Sequence, residues 1–251
     1  MIIQGFRARL KAGELLLGTM VTLSSPEIGE IFTQAGFDWL FLDAEHGSMS
    51  PANIQRVMQG AGRQMPCLVR LPLGDPVSIK KALDIGAAGI IVPMVNTAEQ
   101  ASGVVRQSKF PPQGVRGVGL GRASGYGLSF QEYVEQANED TAVVVQAEHI
   151  QAVENIEDIA QVPGIDAVLV GPYDLSASMG LIGQVGHPDV QDAIGRVTQA
   201  CRSAGIPLGI FGITAAAVVP YIARGYSLIV AGVDTLMLGT QAQQILKQLA
   251  N

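Results

Sequence analysis

The sequence has 251 residues, of which 48% are hydrophobic and 15% charged, enough apolar material for one domain with a large core. Its net charge of −6 argues against the basic surface that nucleic-acid binding requires. No run of about 18 apolar residues is present, so no transmembrane helix is expected.

Two features indicate the cellular compartment, the N-terminal stretch MIIQGFRARLKAGELLLG and the cysteines. Charges interrupt the apolar residues of this stretch, and it has no small-residue cleavage site, so we do not expect a signal peptide. The two cysteines, Cys67 and Cys201, lie far apart and form no metal-binding or redox motif. They predict reduced, buried thiols, and we expect a cytoplasmic protein that inserts into no membrane.

Eight short apolar runs recur along the chain, each followed by a turn and a helical pattern. Such near-continuous apolar strands are typical of a parallel sheet that is covered on its faces. The runs are LLLGTMVTL (15–23), DWLFLDAE (38–45), PCLVRLP (66–72), GIIVPMV (89–95), AVVVQAE (142–148), AVLVGPY (167–173), PLGIFG (207–212) and LIVAGVD (228–234).

The intervening segments carry helix start and stop signals. Three starts pair an N-cap residue with a proline at the first helical position, in Ser25-Pro26, Ser50-Pro51 and Asp75-Pro76. Asn96 and Glu99 suggest a capping box. Glycines that end helices precede the strands, at Gly36, Gly62, Gly86, Gly205 and Gly225. This alternation predicts an α/β fold, a single TIM-type (β/α)₈ barrel over residues 1–251; a doubly wound sheet is less favoured because no G-x-G-x-x-G follows the first strand.

Residues 109–128, KFPPQGVRGVGLGRASGYGL, interrupt the alternation. The segment is rich in Gly and Pro and too long for an ordinary connection, which favours a lid or binding loop over disorder. We expect Arg116, Arg122 and Tyr126 to reach a ligand from it.

Polar side chains collect at the carboxyl ends of the predicted strands, where βα barrels build their active sites. The residues at these ends are Asp43, Glu45, His46, Arg70, Gln146, Glu148, His149, Tyr173 and Asp174. Glu148 and Asp174, on neighbouring strands, suit a hard divalent ion such as Mg²⁺ or Mn²⁺ with water completing the coordination. The alternative is that they are solvated strand ends or helix caps. Zinc is less favoured because the three histidines have no zinc-site spacing.

Arg70 and His46 have both chemical and structural interpretations. Arg70 ends an apolar strand, so its guanidinium either binds a carbonyl or enolate oxygen or forms an ion pair with Asp43 or Glu45. His46, beside carboxylates, is a plausible general base. The lysines all fall in predicted helices or loops, which disfavours a Schiff-base mechanism.

At these residues the sequence resembles the HpcH/HpaI family of class II pyruvate aldolases, typified by 4-hydroxy-2-oxoheptanedioate aldolase. The resemblance covers essentially the whole chain. It is carried by FDWLFLDAEHG (37–47), VRLP (69–72), ALDIGAAGIIVPMV (82–95), KFPPQGVRG (109–117), VQAEH (145–149) and GPYDLSASMG (171–180). The chain departs from the family pattern at Met20, Ser48-Met49-Ser50 and Ala147, which leaves the aldehyde open.

The resemblance implies a metal-dependent aldolase that cleaves or forms 4-hydroxy-2-oxo acids from pyruvate and an aldehyde. It implies Glu148 and Asp174 as ligands of Mg²⁺, Mn²⁺ or Co²⁺, and Gln146, the Tyr173 backbone and Asp174 as pyruvate contacts. It further implies roles in catalysis for His46 as base, Arg70 as stabiliser of the transition state, Asp84 as the acid that makes His46 more basic, and Asp43.

Asp84 falls inside the predicted helix after the third strand. A helix on the outer ring does not easily place a side chain in its own barrel mouth, so we expect Asp84 to serve an adjacent subunit. The protein is then a symmetric homo-oligomer, for which the resemblance suggests a hexamer, with the apolar segment 233–250 packed between subunits. Two alternative functions stay open, a citryl-CoA or malyl-CoA type lyase and a non-catalytic binding barrel. The first would need a basic cleft that the sequence does not show.

Overall fold

A computed structural model describes residues 5–250 and contains a single domain built on a closed, parallel eight-stranded barrel, with neighbours in chain order. The predicted (β/α)₈ fold is confirmed, and each predicted apolar run contains one strand; positions 1–4 and 251 lie outside the described residues. The strands are β1 (Leu16–Val21), β2 (Trp39–Asp43), β3 (Cys67–Arg70), β4 (Gly89–Val92), β5 (Ala142–Ala147), β6 (Ala167–Val170), β7 (Leu208–Gly212) and β8 (Leu228–Val233).

Residues 5–250 form twelve α-helices, most of which connect the strands and cover the outside of the barrel. They are α1 (Phe6–Lys11), α2 (Pro26–Ala35), α3 (Pro51–Ala61), α4 (Pro76–Asp84), α5 (Ala98–Ser108), α6 (Phe130–Asp140), α7 (Ile150–Glu154), α8 (Ile156–Ala160), α9 (Pro172–Ser178), α10 (Pro188–Ala204), α11 (Ala215–Ile222) and α12 (Asp234–Leu249). A 3₁₀ segment, Arg122–Gly127, lies between α5 and α6. Over residues 5–250, none of the helices combines the length and the apolar character needed to cross a bilayer.

The helix signals in the sequence are largely confirmed. Ser25, Ser50 and Asp75 are the N-caps of α2, α3 and α4, each followed by proline. The capping box at Asn96 and Glu99 is wrong by one position. The N-cap of α5 is Thr97, one residue after Asn96. The Thr97 hydroxyl accepts a hydrogen bond from the backbone N–H of Gln100, three residues further along the chain, as an N-cap side chain normally does.

The interior of the barrel is an apolar core that helix α1 closes at the amino-terminal end of the strands. Phe6 and Leu10 of α1 are fully buried among inward-facing strand residues, including Trp39 and Leu68. The rings of Phe6 and Trp39 lie 6.1 Å apart. This end of the barrel is therefore packed solid, and the open end is the carboxyl end of the strands.

A second core lies between the strands and the surrounding helices, and its tightest contact joins α2 to α3. A Cβ atom on Gly60 would lie 2.1 Å from the Pro26 carbonyl oxygen, and one on Gly29 would lie 2.5 Å from that of Val57. The backbones of the two helices touch here, so only glycine fits at either position.

Helix α12 departs from this arrangement. Its first residue, Asp234, is buried and accepts hydrogen bonds from the Thr22 and Leu23 backbone N–H groups near the end of β1. Every residue from 235 to 250 is exposed, including a stripe of apolar side chains formed by Leu238, Ala242, Ile245 and Leu249. The helix therefore projects from the barrel instead of covering it.

The α2–α3 contact gives a test of the fold. We expect Gly60→Ala to lower the free energy of unfolding by about 1–3 kcal/mol, because the new methyl group overlaps the α2 backbone, although alanine favours helices. Gly103→Ala in α5 is the matched control. Its Cβ would meet nothing within 4 Å, so we expect unchanged or slightly higher stability. Urea unfolding measures both, and equal effects of the two substitutions would contradict the packing argument.

Candidate active site

A cavity of about 370 Å³ opens at the carboxyl end of the strands. Residues from six of the eight βα units line it, so it lies where βα barrels place their active sites. Its walls are formed by Met20, Thr22, Phe41, Asp43, His46, Arg70, Gln146, Leu169, Val170, Gly171, Tyr173, Asp174, Phe211 and Ile213. Six of the lining residues are predicted site residues, Asp43, His46, Arg70, Gln146, Tyr173 and Asp174, and five others are apolar, Met20, Phe41, Leu169, Phe211 and Ile213.

Arg70 and Asp43 form a buried, bidentate ion pair at the ends of β3 and β2. Arg70 Nε donates to Asp43 Oδ1 at 2.9 Å, and Arg70 Nη2 donates to Oδ2 at 2.8 Å. The two residues are paired in the register of the sheet, so their side chains project from adjacent strand ends. The structural interpretation of Arg70 is thus confirmed. It does not displace the chemical one, because the guanidinium also lines the cavity, 5.2 Å above the ring of Phe41.

Glu45 and His46 lie in the turn that follows β2. Asp43 Oδ1 accepts the backbone N–H of Glu45 at 3.1 Å, which shapes this turn. Glu45 Oε2 lies 3.3 Å from Arg70 Nε and 3.6 Å from His46 Nε2. Burial raises the pKa of the Glu45 carboxyl, against the opposing effect of the Arg70 charge. His46 is well exposed, with 65% of its side-chain surface accessible.

Glu148 follows β5 and is almost fully buried, at 3% exposure. Its Oε1 accepts the Met94 backbone N–H at 2.8 Å, and its Oε2 accepts a hydrogen bond from Gln146 Nε2. Gly171 packs directly against it, since a Cβ there would lie 2.9 Å from Glu148 Oε2. Desolvation raises the pKa of Glu148 to about 7. Met94 and Gly171 were not among the residues singled out from the sequence. Met94 contributes only its backbone N–H and Gly171 only its lack of a side chain, and neither contribution can be recognised from the residue type.

Tyr173 and Asp174 occupy a different element from the one predicted. The sixth strand ends at Val170, and both residues lie in the first turn of α9. Pro172 at the first helical position turns the chain out of the sheet at this point. Asp174 nevertheless lines the cavity, and its charge contributes to the raised pKa of Glu148, so the two carboxylates face the same space.

Glu148 and Asp174 offer carboxylate oxygens, the donor type that suits a hard divalent ion. Within residues 5–250, no group of three or more His, Cys, Asp or Glu side chains is arranged to hold an ion, so water or substrate oxygens would have to complete the coordination. The buried acceptor Gln146 Oε1 beside the site has no hydrogen-bond partner, and Glu45 Oε2 has no hydrogen bond beyond its ion pair with Arg70. Unpaired buried oxygens of this kind are costly unless an ion or water satisfies them.

Asp84 does not lie at the mouth of its own barrel. It is the last residue of α4, and since α4 returns the chain from the carboxyl ends of the strands, Asp84 lies near the opposite end. Its Oδ1 accepts a hydrogen bond of 2.7 Å from Arg116, which is itself buried. Arg122 donates to the Ile85 carbonyl oxygen at 3.0 Å. Arg116 and Arg122 thus fasten loop 109–128 to the end of α4 and do not line the cavity at the carboxyl ends of the strands, whereas Arg122 and Tyr126 border a second pocket. That these residues reach a ligand stays a prediction.

Other titratable residues have structural roles. None of the residues that line the cavity is a lysine, and Lys109, the buried one, donates to the carbonyl oxygens of Asn138 and Thr141 at the amino-terminal end of β5. His149 and His187 are N-caps of α7 and α10, each accepting a backbone N–H through Nδ1. Their capping roles explain both side chains without a catalytic function.

Comparison with known proteins places this site in a family. A family model described as HpcH/HpaI aldolase/citrate lyase matches residues 17–239. A 4-hydroxy-2-oxovalerate aldolase from Rhodococcus jostii is 39% identical over 250 residues, covering 99% of this chain and 96% of that one. A hydroxypyruvate/pyruvate aldolase from Pseudomonas aeruginosa is 40% identical over 242 residues, covering 94% and 89%. The crystal structure of an HpcH/HpaI aldolase/citrate lyase family protein from Burkholderia cenocepacia superposes with a TM-score of 0.93, at 36% identity and 98% coverage of both chains.

The barrel, its polar mouth and these relatives define the protein as an aldolase, a carbon–carbon lyase. The chain belongs to the HpcH/HpaI aldolase/citrate lyase family.

The raised pKa of Glu148 predicts how stability depends on pH in the metal-free protein. The pKa rises from an ordinary 4.5 to about 7 on folding, so the folded state binds more protons between these values. The free energy of unfolding should therefore decrease as pH rises through this window and level off above it. We expect Glu148→Gln to remove this contribution, which urea unfolding of both proteins at about pH 5 and about pH 8 would measure. An identical pH dependence in the two proteins would contradict it.

Proposed function

We propose that this protein is a divalent-metal-dependent pyruvate aldolase that cleaves and forms 4-hydroxy-2-oxo acids, with an aldehyde as the second component. The observation that carries the proposal is that Asp174, Gln146 and Arg70 line one cavity, with the Glu148 carboxylate hydrogen-bonded to Gln146 beside it. The polar groups suit the oxygen atoms of a 2-oxo acid, and the apolar residues of the same cavity suit the carbon chain of an aldehyde. The names of the relatives from Rhodococcus jostii and Pseudomonas aeruginosa support this substrate class.

Glu148 and Asp174 would hold the ion. Carboxylate and water oxygens favour Mg²⁺ or Mn²⁺, with Co²⁺ as a further candidate. When bound, the ion supplies Lewis-acid polarisation of the keto group. Gln146 and the Tyr173 backbone are placed to orient the 2-oxo acid, since Gln146 lines the cavity beside Glu148 and Tyr173 lies in the first turn of α9.

The remaining residues would stabilise charge and move protons. Asp43 fixes the Arg70 guanidinium on one edge, so its donors are preorganised for the negative oxygen that develops on carbon–carbon cleavage. His46 would accept the proton of the 4-hydroxyl group and return a proton in the reverse direction. Its exposure and its contact with Glu45 support this role.

We further propose that the protein acts as a homo-oligomer, a hexamer as the resemblance suggests, in the cytoplasm. Its two cysteines are unpaired and buried, which suits a reducing compartment. The apolar stripe of α12 supports a second copy as its partner. Leu17 of β1, Ile31 of α2 and Val219 of α11 are also exposed, on the elements that flank the position where α12 would cover the barrel. Exchange of α12 between copies would bury both surfaces.

Metal dependence is the first test of the proposed function. We expect dialysis against EDTA to abolish release of pyruvate from 4-hydroxy-2-oxo acids, and added Mg²⁺ or Mn²⁺ to restore it. Glu148→Ala and Asp174→Ala should each lose about 10³-fold in activity, because an ion contributes several kcal/mol to transition-state stabilisation. Full activity after removal of metal would contradict the proposal, as would a borohydride-trapped pyruvate adduct on a lysine.

Arg70 allows charge and geometry to be tested separately. If its donors stabilise the enolate oxygen, Arg70→Ala should lower kcat about 10²–10³-fold. Arg70→Lys should recover only part of this loss, since an ammonium keeps the charge but loses the planar fork. Metal affinity, measured by calorimetry, should persist in both. A destabilised Arg70→Ala variant with normal kcat would leave Arg70 only its structural role as the partner of Asp43.

Asp84 gives a test of shared active sites. We expect Asp84→Asn and Glu148→Ala proteins to be nearly inactive alone and to regain activity when the two chains are co-expressed and co-purified. A chain with intact Glu148 can then receive Asp84 from its neighbour. Absence of rescue in a verified mixed oligomer would mean that Asp84 does not act between subunits.

The control for this experiment separates assembly from catalysis. Leu238→Glu places a charge on the apolar stripe of α12 and should prevent both assembly and rescue. Thr240→Glu, on the other side of the same helix, should leave both intact. Light scattering measures the oligomeric state in each case, and a fully active wild-type monomer would rule out the proposed assembly.

A further inference from the structure

Met94 has an unusual backbone conformation at the mouth of the barrel. It follows Pro93 after strand β4, and its φ of 54° lies in the left-handed region. Within residues 5–250, the only other non-glycine residue with positive φ is Tyr126. A Cβ atom makes this conformation unfavourable, whereas glycine adopts it freely. The Met94 side chain is 47% exposed, so burial of this side chain does not explain the conformation.

Contacts on both sides of Met94 hold the segment in place. Val92 is paired with Val145 in the β4–β5 ladder. Val95 is buried in the outer core, and the carbonyl oxygen of Asn96 accepts a hydrogen bond of 2.9 Å from Asn155 Nδ2. A strained residue persists where its surroundings fix it in this way, and such residues concentrate at functional sites.

The left-handed turn directs the Met94 backbone N–H to Glu148. The N–H donates to Glu148 Oε1 at 2.8 Å, while Gln146 donates to Oε2. Gly171 limits movement of the carboxylate on the β6 side. Each oxygen of Glu148 therefore has one fixed donor, from β4 on one side and from β5 on the other, and the carboxylate keeps a single orientation.

We propose that Met94 is a positioning residue for the metal site, whose strained backbone orients the Glu148 carboxylate for the ion. This inference rests on the proposed metal ligation by Glu148. Partners that orient a ligand of a metal ion commonly change its affinity by 10–100-fold when they are lost. This role depends on the backbone conformation of Met94. The effect of a substitution on metal affinity should therefore depend on how well the new residue adopts a positive φ, and not on the size or chemistry of its side chain.

The competing explanation is that the turn only connects β4 to α5. In that case, disturbing the conformation would lower stability but leave the metal affinity of the folded protein unchanged. Three substitutions separate the explanations. Met94→Gly keeps the N–H and removes the strain, Met94→Val makes the left-handed conformation much less favourable because of its branched Cβ, and Met94→Leu changes the side chain alone.

The measurement is titration calorimetry of each metal-free, folded protein with Mn²⁺. We expect Met94→Leu to bind like the wild type and Met94→Gly to remain within about fivefold of it, the factor set by the greater freedom of glycine. Met94→Val should bind at least about tenfold more weakly. Thermal unfolding without metal verifies that each variant is folded. If the valine variant does not fold, a loss of Mn²⁺ affinity beyond about fivefold in Met94→Gly or Met94→Leu still overturns the inference.

Two results would overturn the inference. One is wild-type Mn²⁺ affinity in a folded Met94→Val protein. The other is a Met94→Gly or Met94→Leu protein that loses affinity as much as Met94→Val, since the side chain and not the conformation would then be responsible. Glu148→Ala separates this failure from that of the proposed function. If the wild type binds Mn²⁺ and Glu148→Ala does not, only the role of Met94 fails; if neither the wild type nor the variant binds, both proposals fall.

Discussion

Negative charge at the mouth of the barrel is the constraint on which the rest of the site depends. Asp43, Glu45, Glu148 and Asp174 meet there, and burial of carboxylates without compensation is strongly unfavourable. Arg70 neutralises Asp43 directly and Glu45 in part. Glu148 has only neutral donors, and its raised pKa shows that this compensation is incomplete. A divalent ion would supply the missing positive charge. The same ion would thus compensate the carboxylates of the mouth and perform the proposed chemistry.

The barrel separates this polar mouth from the part that stabilises the fold. At the amino-terminal end of the strands, α1 and the Trp39 side chain close an apolar interior with no room for solvent. At the other end, short turns after the strands carry the polar groups. Because hydrogen bonding along the sheet fixes the strand ends relative to one another, Asp43 and Arg70 meet with bidentate geometry although they are 27 positions apart in the chain.

The proposed oligomer explains two features of the chain. The apolar stripe of α12 is exposed, and Asp84 lies at the end of its barrel that is remote from the cavity. Loop 109–128 adjoins Asp84. Arg116 binds Asp84, and a Cβ on Gly121 would lie 2.5 Å from the Asp84 carbonyl oxygen, so the loop packs closely on the end of α4. A neighbouring copy that receives Asp84 would therefore also contact this loop.

The sequence by itself determined the eight strands, most helix caps and the residues of the mouth, because apolar periodicity, proline, glycine and strand-end position act locally or follow from the barrel rule. Only the tertiary structure decided that Asp174 lies in the first turn of a helix, that Arg116 and Arg122 bind the end of α4, and that Thr97 replaces Asn96 as a cap. It alone revealed the left-handed Met94 and its bond to Glu148. The physical reason is that these features depend on long-range packing between segments, and a residue's type does not encode which distant partner will fix its backbone or satisfy its charge.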